Sequence, residues 1–312
     1  MLLFLSTVSA QAIDNTPAFR NINSDHYFRI NYENDFFTGT DHDYTQGVYF
    51  EWVHPSIRHF PLTALLLRTK SSALRYGLAL ESEGYTPNYI EKPAIQYGDR
   101  PYAGVLLLKT FLTSVNAQRR DRLSAQISAG IIGRAAGGEA IQKSIHRWIN
   151  FTKPLGWNNQ IRNDIILNYQ VNYEKELLRW KNHFSFSAYS SARLGTLSDK
   201  ASAGVTVMLG NFHSAFSYGS NEPIRKFQFY VYDTPLVSAV AYDATLQGGL
   251  FHRSSPYTIP SGDVNRITFV NRWGVVMIFK RLYFEYYQSG PTQDYVTGAF
   301  HKSGGLQVGF GF

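Results

Sequence analysis

No cysteine occurs in the 312 residues, which excludes disulfide scaffolds, thiolate zinc sites and cysteine nucleophiles. Proline is sparse, 12 against 25 glycines, so collagen-like and proline-rich linker readings fall away too. Past the N-terminus there is no apolar run of about 18 residues, and therefore no candidate membrane-spanning helix. Basic residues exceed acidic ones, 30 to 23, yet they form no block. Their densest group is Arg119-Arg120-Asp121-Arg122. A nucleic-acid footprint needs a basic cluster, so no nucleic-acid partner is expected. The same spread charge suits a membrane surface or a phosphorylated lipid.

The chain is rich in aromatics: 21 Tyr, 22 Phe and 5 Trp. With 44% hydrophobic residues it is not a disordered chain. It starts with a short apolar stretch, Met1 to Val8, closed by Ala10-Gln11-Ala12. That small-x-small pattern precedes secretory cleavage sites, although no basic residue comes before it. Residues 1–12 are therefore expected to be a signal peptide and 13–312 a single domain, with no internal repeat or linker.

Most of that domain alternates with period two. Phe28, Ile30 and Tyr32 oppose Arg29, Asn31 and Glu33; Leu123, Ala125, Ile127, Ala129 and Ile131 oppose Arg122, Ser124, Gln126 and Ser128. This is strand patterning. A soluble sandwich and a membrane barrel share it, with opposite faces buried. Three features favour the barrel. The segments run to about ten residues or more, as tilted spanning strands must. Aromatics gather near segment ends, as in an interfacial girdle. The chain ends Leu306-Gln307-Val308-Gly309-Phe310-Gly311-Phe312, like the closing strand of bacterial outer-membrane barrels.

The fold class predicted is all-β: one twelve-stranded antiparallel transmembrane barrel with both termini in the periplasm and a short helix in an extracellular loop. Its strands are expected at 27–36, 44–54, 73–83, 103–115, 121–132, 160–176, 182–194, 200–210, 226–243, 264–278, 280–290 and 303–312. The ninth is read as one strand with a bulge at Pro235, since bacterial single-chain barrels have even strand numbers. Two periplasmic connections, 55–72 and 211–225, are longer than this scheme expects. Inward Arg29, Arg75, Tyr49 and Tyr283 suggest a filled lumen.

Polar residues gather in the first three outside loops. The first runs from Asn34-Asp35 through Asp41-His42-Asp43 to Thr45. The second holds Lys92 and Gly98-Asp99-Arg100. The third holds Gly137-Gly138 and a helical stretch, 139–149, with Ile141, Ile145 and Trp148 on one side. His146 would then sit on a short helix over the barrel mouth. Asp35, Glu33 and Thr45 fall in the inward phase, whereas Asn34 does not and would need a strand end or bulge. Asp41-His42-Asp43 looks like part of a calcium loop but lacks the spaced glutamate, and Asp-rich turns are common.

These motifs carry a resemblance. Asn34-Asp35, Thr45 within Asp43-Tyr44-Thr45-Gln46-Gly47, Gly98-Asp99-Arg100, and Gly137-Gly138 with Gln142 and His146 resemble the outer-membrane lipid A 3'-O-deacylase family. The resemblance runs from about residue 28 through the last strand. It implies a twelve-stranded barrel that hydrolyses an ester-linked acyloxyacyl chain of lipid A with calcium. The family's functional Asn, Asp, Thr and His fall on Asn34, Asp35, Thr45 and His146. A further family glutamate has no match, and Thr152 lies near its place.

The residue types suit that chemistry. Ester hydrolysis needs a base for water and a stabiliser for the oxyanion. His146 titrates in the right range for the base. Calcium held by oxygen ligands, with Asp35 and Thr45 as candidates, would polarise the carbonyl. Lys92 and Arg100 would hold a lipid A phosphate. The expected partners are lipopolysaccharide and outer-membrane lipid, the site faces the outer leaflet, and a monomer is expected. Two other readings stand beside this one: a passive porin, and an outer-membrane phospholipase with a serine mechanism, although no Gly-x-Ser-x-Gly elbow occurs.

Overall fold

A computed structural model describes residues 14–35, 43–70, 72–298 and 302–312. The expected leader and Asp41-His42 lie outside the described residues, as do the side chains of Asp43 and Thr45. Twelve antiparallel strands close into a barrel in chain order, β1 pairing with β12. They are β1 Tyr27–Asn34, β2 Asp43–Val53, β3 Ala73–Thr86, β4 Ala103–Asn116, β5 Asp121–Ile132, β6 Asp164–Trp180, β7 Phe184–Gly195, β8 Ser198–Asn211, β9 Phe227–Asp243, β10 Ile267–Phe279, β11 Leu282–Pro291 and β12 Ser303–Gly311.

Period two sets the wall. Phe28, Ile30, Phe50, Leu80, Leu108, Ile165, Leu167, Val308 and Phe310 stand exposed on its outer side. The alternate positions Arg29, Asn31, Glu33, Glu51, Glu81 and Lys109 are buried inside. A polar lumen behind an apolar outer surface is the membrane-barrel arrangement, not a sandwich with a dry core. Trp52, Phe28, Phe312 and His54 stack at the end where β1 starts and β12 finishes, as an interfacial aromatic group. The ninth strand is continuous, but the expected bulge at Pro235 is absent. Proline lacks a backbone donor, so the β8–β9 ladder skips there and resumes in the same register, Gly204 with Leu236 and Val207 with Asp233.

The lumen is partly filled by a segment that the strand pattern does not reveal. Residues Asp14 to Asn21 run inside the barrel. Arg20 pairs with Glu285 of β11 at 3.0 Å. The Ala18 N–H donates to Glu174 of β6. Arg122 of β5 donates to the Thr16 carbonyl, Arg29 of β1 to the Asn15 and Arg20 carbonyls, and the Tyr230 hydroxyl of β9 to the Phe19 carbonyl. Phe19 stacks on Tyr232 at 4.1 Å. The segment is thus held by β1, β5, β6, β9 and β11. Lateral ion pairs, Arg29–Glu51 at 2.8 Å and Lys109–Glu81, fill space beside it. A purified protein lacking residues 14–21 is expected to give stepwise ion conductance in a planar bilayer, and the parent none. Equal, silent traces would mean that the wall side chains alone close the lumen.

The long connection between β2 and β3 does not hang in the periplasm. It folds back over the outer side of the wall as two 3-10 turns, Pro55–His59 and Pro61–Leu65. Leu66 packs there on Leu112, Ala125 and Ile127.

Candidate active site

The helix expected in the third outside loop is present as α1, Gly138–Trp148. Its position differs from the expectation. In β4 the inward residues are Ala103, Val105 and Leu107, so Gly104 between them belongs to the outer side. A Cβ on Gly104 would stand 3.2 Å from the Gly138 nitrogen. The start of α1 therefore rests on the outer side of the wall, not over the mouth. Gly133 makes this reversal possible with φ near 103°, a conformation side chains disfavour.

The register explains the seat. Gln46 pairs with Gly84, and Gly84 with Gly104. Glu33 pairs with Gly47, so Asn34 is the next position in line beside Gln46. Asn34, Gln46, Gly84 and Gly104 thus form one row across four strands on the outer side. Gln46 is 2% exposed although its phase faces outward, so something covers it. Two glycines in the row leave the shallow shelf on which a helix can approach. Strand spacing puts Asn34 about 10 Å from Gly84.

The buried residues of α1 are Gly138, Gln142 and His146, one helical face. Of the expected apolar face, Ile141 and Ile145 are half-buried and Trp148 is 87% exposed. A helix bounded by lipid on its far side has its polarity reversed relative to a soluble one. The Trp157 indole donates to Gln142 Oε1 at 2.6 Å, and Trp157 lies 5.1 Å from the Tyr102 ring. The Leu155 N–H donates to the Ile90 carbonyl, and Asn159 to the Pro93 carbonyl. The second and third loops thereby hold the helix.

His146 Nδ1 lies 2.5 Å from the main-chain carbonyl of Thr152, and its ring meets Phe151 edge-on at 5.2 Å. A carbonyl only accepts, so Nδ1 donates to it, which leaves Nε2 as the nitrogen free to exchange a proton. Thr152 stands near the place of the missing family glutamate. Its backbone, not its side chain, orients the histidine.

The phase conflict over Asn34 disappears with the site on the outer side. Asn34 ends β1, half-buried, and its amide nitrogen donates to the Tyr32 hydroxyl at 3.2 Å. Asp35 follows, fully buried. The β2–β3 register shifts between Tyr44 and Gln46, so the backbones of Thr45 and Gln46 together oppose Gly84 as a bulge. Glu33, by contrast, faces the lumen and accepts from Ser303 at 2.6 Å and Tyr287 at 3.0 Å.

Arg100 is placed differently from its expected role. Its guanidinium is 2% exposed and donates to Asp294 at 2.6 Å and to Thr245 at 2.8 Å, above the Tyr85 ring. Burial raises the Asp294 carboxyl to about 6 while Arg100 pulls it down. This buried pair ties the second loop to the fifth and sixth, and its guanidinium is not displayed for a lipid phosphate. Lys92 is exposed, its Nζ 3.7 Å from the centre of the Tyr89 ring, and remains accessible. Among the described residues no three His, Cys, Asp or Glu side chains cluster as metal ligands.

The whole chain, residues 1–312, matches the family described as outer membrane protein LpxR. The chain belongs to the LpxR family. Membership places it in the bacterial outer membrane and sets it among the lipid A deacylases that the sequence motifs resemble. LpxR from Salmonella typhimurium has a similar fold, with a TM-score of 0.74 at 21% identity over 92% of this chain and all of that one. The β domain of the Bordetella autotransporter BrkA reaches 0.50 at 8% identity, over 93% of this chain and 100% of that one. None of the curated proteins matches the chain.

The glycine shelf gives a test. Gly104→Val should displace α1, because even a Cβ already meets the Gly138 backbone. Misplacing a catalytic group by about 1 Å can cost about a hundredfold in rate. Activity on lipid A should fall by that order while heat-modifiable gel mobility stays that of a folded barrel. Unchanged turnover would place the active residues elsewhere than on α1.

Proposed function

We propose that this chain removes the ester-linked 3'-acyloxyacyl chain from lipid A in the outer leaflet, with His146 as general base. The observation that supports this best is the fixed tautomer of His146 on a helix seated against the outer side of the wall. A base in that position faces lipid, not the lumen. Exposed Trp148, Ile149, Phe151 and Leu155 beside it offer an apolar surface for acyl chains.

In this reading water attacks the ester carbonyl while Nε2 takes its proton. The C–O bond to the sugar then breaks, and His146 returns the proton to the leaving oxygen. The products are the free acyloxyacyl acid and a 3'-hydroxyl. Thr152 keeps the imidazole oriented through both transfers. Asn34 and Thr45 lie in the row and bulge beside α1, where they would position the ester. Lys92 is the remaining candidate for a lipid A phosphate.

Calcium fits the donors on hand. Asp35 is a buried carboxylate, Asn34 beside it brings an amide, and no thiol exists in the chain. Such all-oxygen sets, neutral oxygens included, suit calcium and not zinc. When bound by Asp35 and Thr45 it would supply charge for the developing oxyanion.

Mass spectrometry of lipid A from cells with and without the protein tests the reaction. Loss of the 3'-acyloxyacyl mass is expected. An unaltered lipid A in expressing cells, with the barrel present in the outer membrane, would overturn it. The porin reading loses ground to the segment that fills the lumen.

A further inference from the structure

We infer that the β2–β3 connection, residues 54–70, is a re-entrant strap that seats in the periplasmic leaflet and binds anionic phospholipid. It starts at the periplasmic end of β2 and crosses the outer side of β3, β4, β5 and β6. The His54 N–H donates to Tyr76 of β3. Leu66 packs on Leu112 of β4 and on Ala125 and Ile127 of β5. At β6, Tyr169 accepts from the Leu67 N–H and donates to the Leu65 carbonyl, both at 3.0 Å.

The depth of the strap follows from Tyr169. Along β6 the outward residues are Ile165, Leu167, Tyr169, Val171 and Tyr173. Tyr169 is the middle one of this apolar run, and its register partner Ile127 is the middle of Leu123, Ala125, Ile127, Ala129 and Ile131. The strap therefore reaches the height at which neighbouring strands face hydrocarbon. A lone hydroxyl there would be costly, and so would free backbone groups. Each answers the other. The remaining chain is closed in the same way: the Phe60, Thr63 and Leu66 N–H groups donate to carbonyls three residues back, and the Thr63 hydroxyl donates to the carbonyls of Arg58 and Phe60.

The far side of the strap names its occupant. Phe60, Leu62, Leu65 and Leu67 are exposed, and continue the lipid-facing surface of the wall. Arg58, Arg68 and Lys70 are exposed beside them, with no exposed acid between 54 and 70. Their long stems let the charges reach down to headgroups while the leucines stay among acyl chains. Basic groups at that level select anionic lipid.

The absence of cysteine makes the test clean. Single variants Leu65→Cys and Leu67→Cys would carry a nitroxide in protein reconstituted into phosphatidylcholine vesicles. Leu80→Cys on the wall and Arg119→Cys in a periplasmic turn supply the lipid and water references. Relaxation by oxygen over that by a water-soluble nickel chelate should rank both strap labels with Leu80. Ranking with Arg119 would overturn the strap's burial. Native mass spectrometry after mixing in phosphatidylglycerol tests the headgroup contact. The parent should retain phosphatidylglycerol over phosphatidylcholine, and R58Q/R68Q/K70Q should lose at least about fivefold of that preference. An unchanged preference would overturn the anionic contact.

Discussion

His146→Gln is expected to lower lipid A deacylation by at least about a hundredfold, the low end for loss of a general base. Glutamine keeps a hydrogen-bonding side chain of similar reach, so it can hold the Thr152 carbonyl, which lies 2.5 Å from Nδ1 in the parent. It cannot cycle a proton. The loss should thus fall on turnover and spare substrate binding. The barrel should fold and insert normally, because α1 lies on the wall and supplies none of the ladder bonds that close it. His146→Ala should behave alike and also loosen the contact with Phe151. The variants separate the three readings. A serine phospholipase with another base would keep its turnover, and a porin would have none to lose. Release of acid from lipid A at the parent rate by purified His146→Gln would remove the base from α1 and direct the search to His42.

The barrel was legible because alternation is a local property. Twelve strands, their order and their outward faces all follow from period two and the even count. The location of the site was not legible in the same way. The helical spacing of 139–149 in an outside loop puts His146 over the mouth, and Asn34 stands out of phase with an inward site. The structure instead sets the helix against the outer side, through features that alternation cannot carry: a positive φ at Gly133 and two outer-side glycines brought into line by register, beside a register shift between Tyr44 and Gln46. Gly84 and Gly104 are 20 residues apart in sequence and become neighbours only when β3 and β4 pair. Arg100 shows a different limit. Its charge was plain, but its buried partner Asp294 lies on a loop 194 residues away. The filling of the lumen was half legible: inward Arg29 and Tyr283 pointed to it, while the segment from Asp14 to Asn21 has no period to betray its place.

Chelation of calcium is expected to abolish hydrolysis, and added calcium to restore it, with the fold unchanged throughout. The argument rests on donor chemistry. Next to the row that seats α1 stand a buried carboxylate, Asp35, and the amide of Asn34. The chain has no cysteine, and the donors described at that end of β1 are oxygens, which suit a hard cation. Binding to the folded state alone would also stabilise it, by about 2.7 kcal/mol when calcium is a hundredfold above its dissociation constant. Thermal unfolding of detergent-solubilised protein therefore gives a readout that needs no substrate: the parent should melt higher with calcium than with chelator. Asp35→Asn removes the charge but keeps an oxygen, so it should erase most of that shift and most of the activity at limiting calcium. Excess calcium should recover part of the activity, since the neutral oxygens remain. Full hydrolysis in excess chelator, or a calcium shift in Asp35→Asn equal to the parent's, would sink the assignment of Asp35 as a ligand and leave His146 to be judged on its own variants.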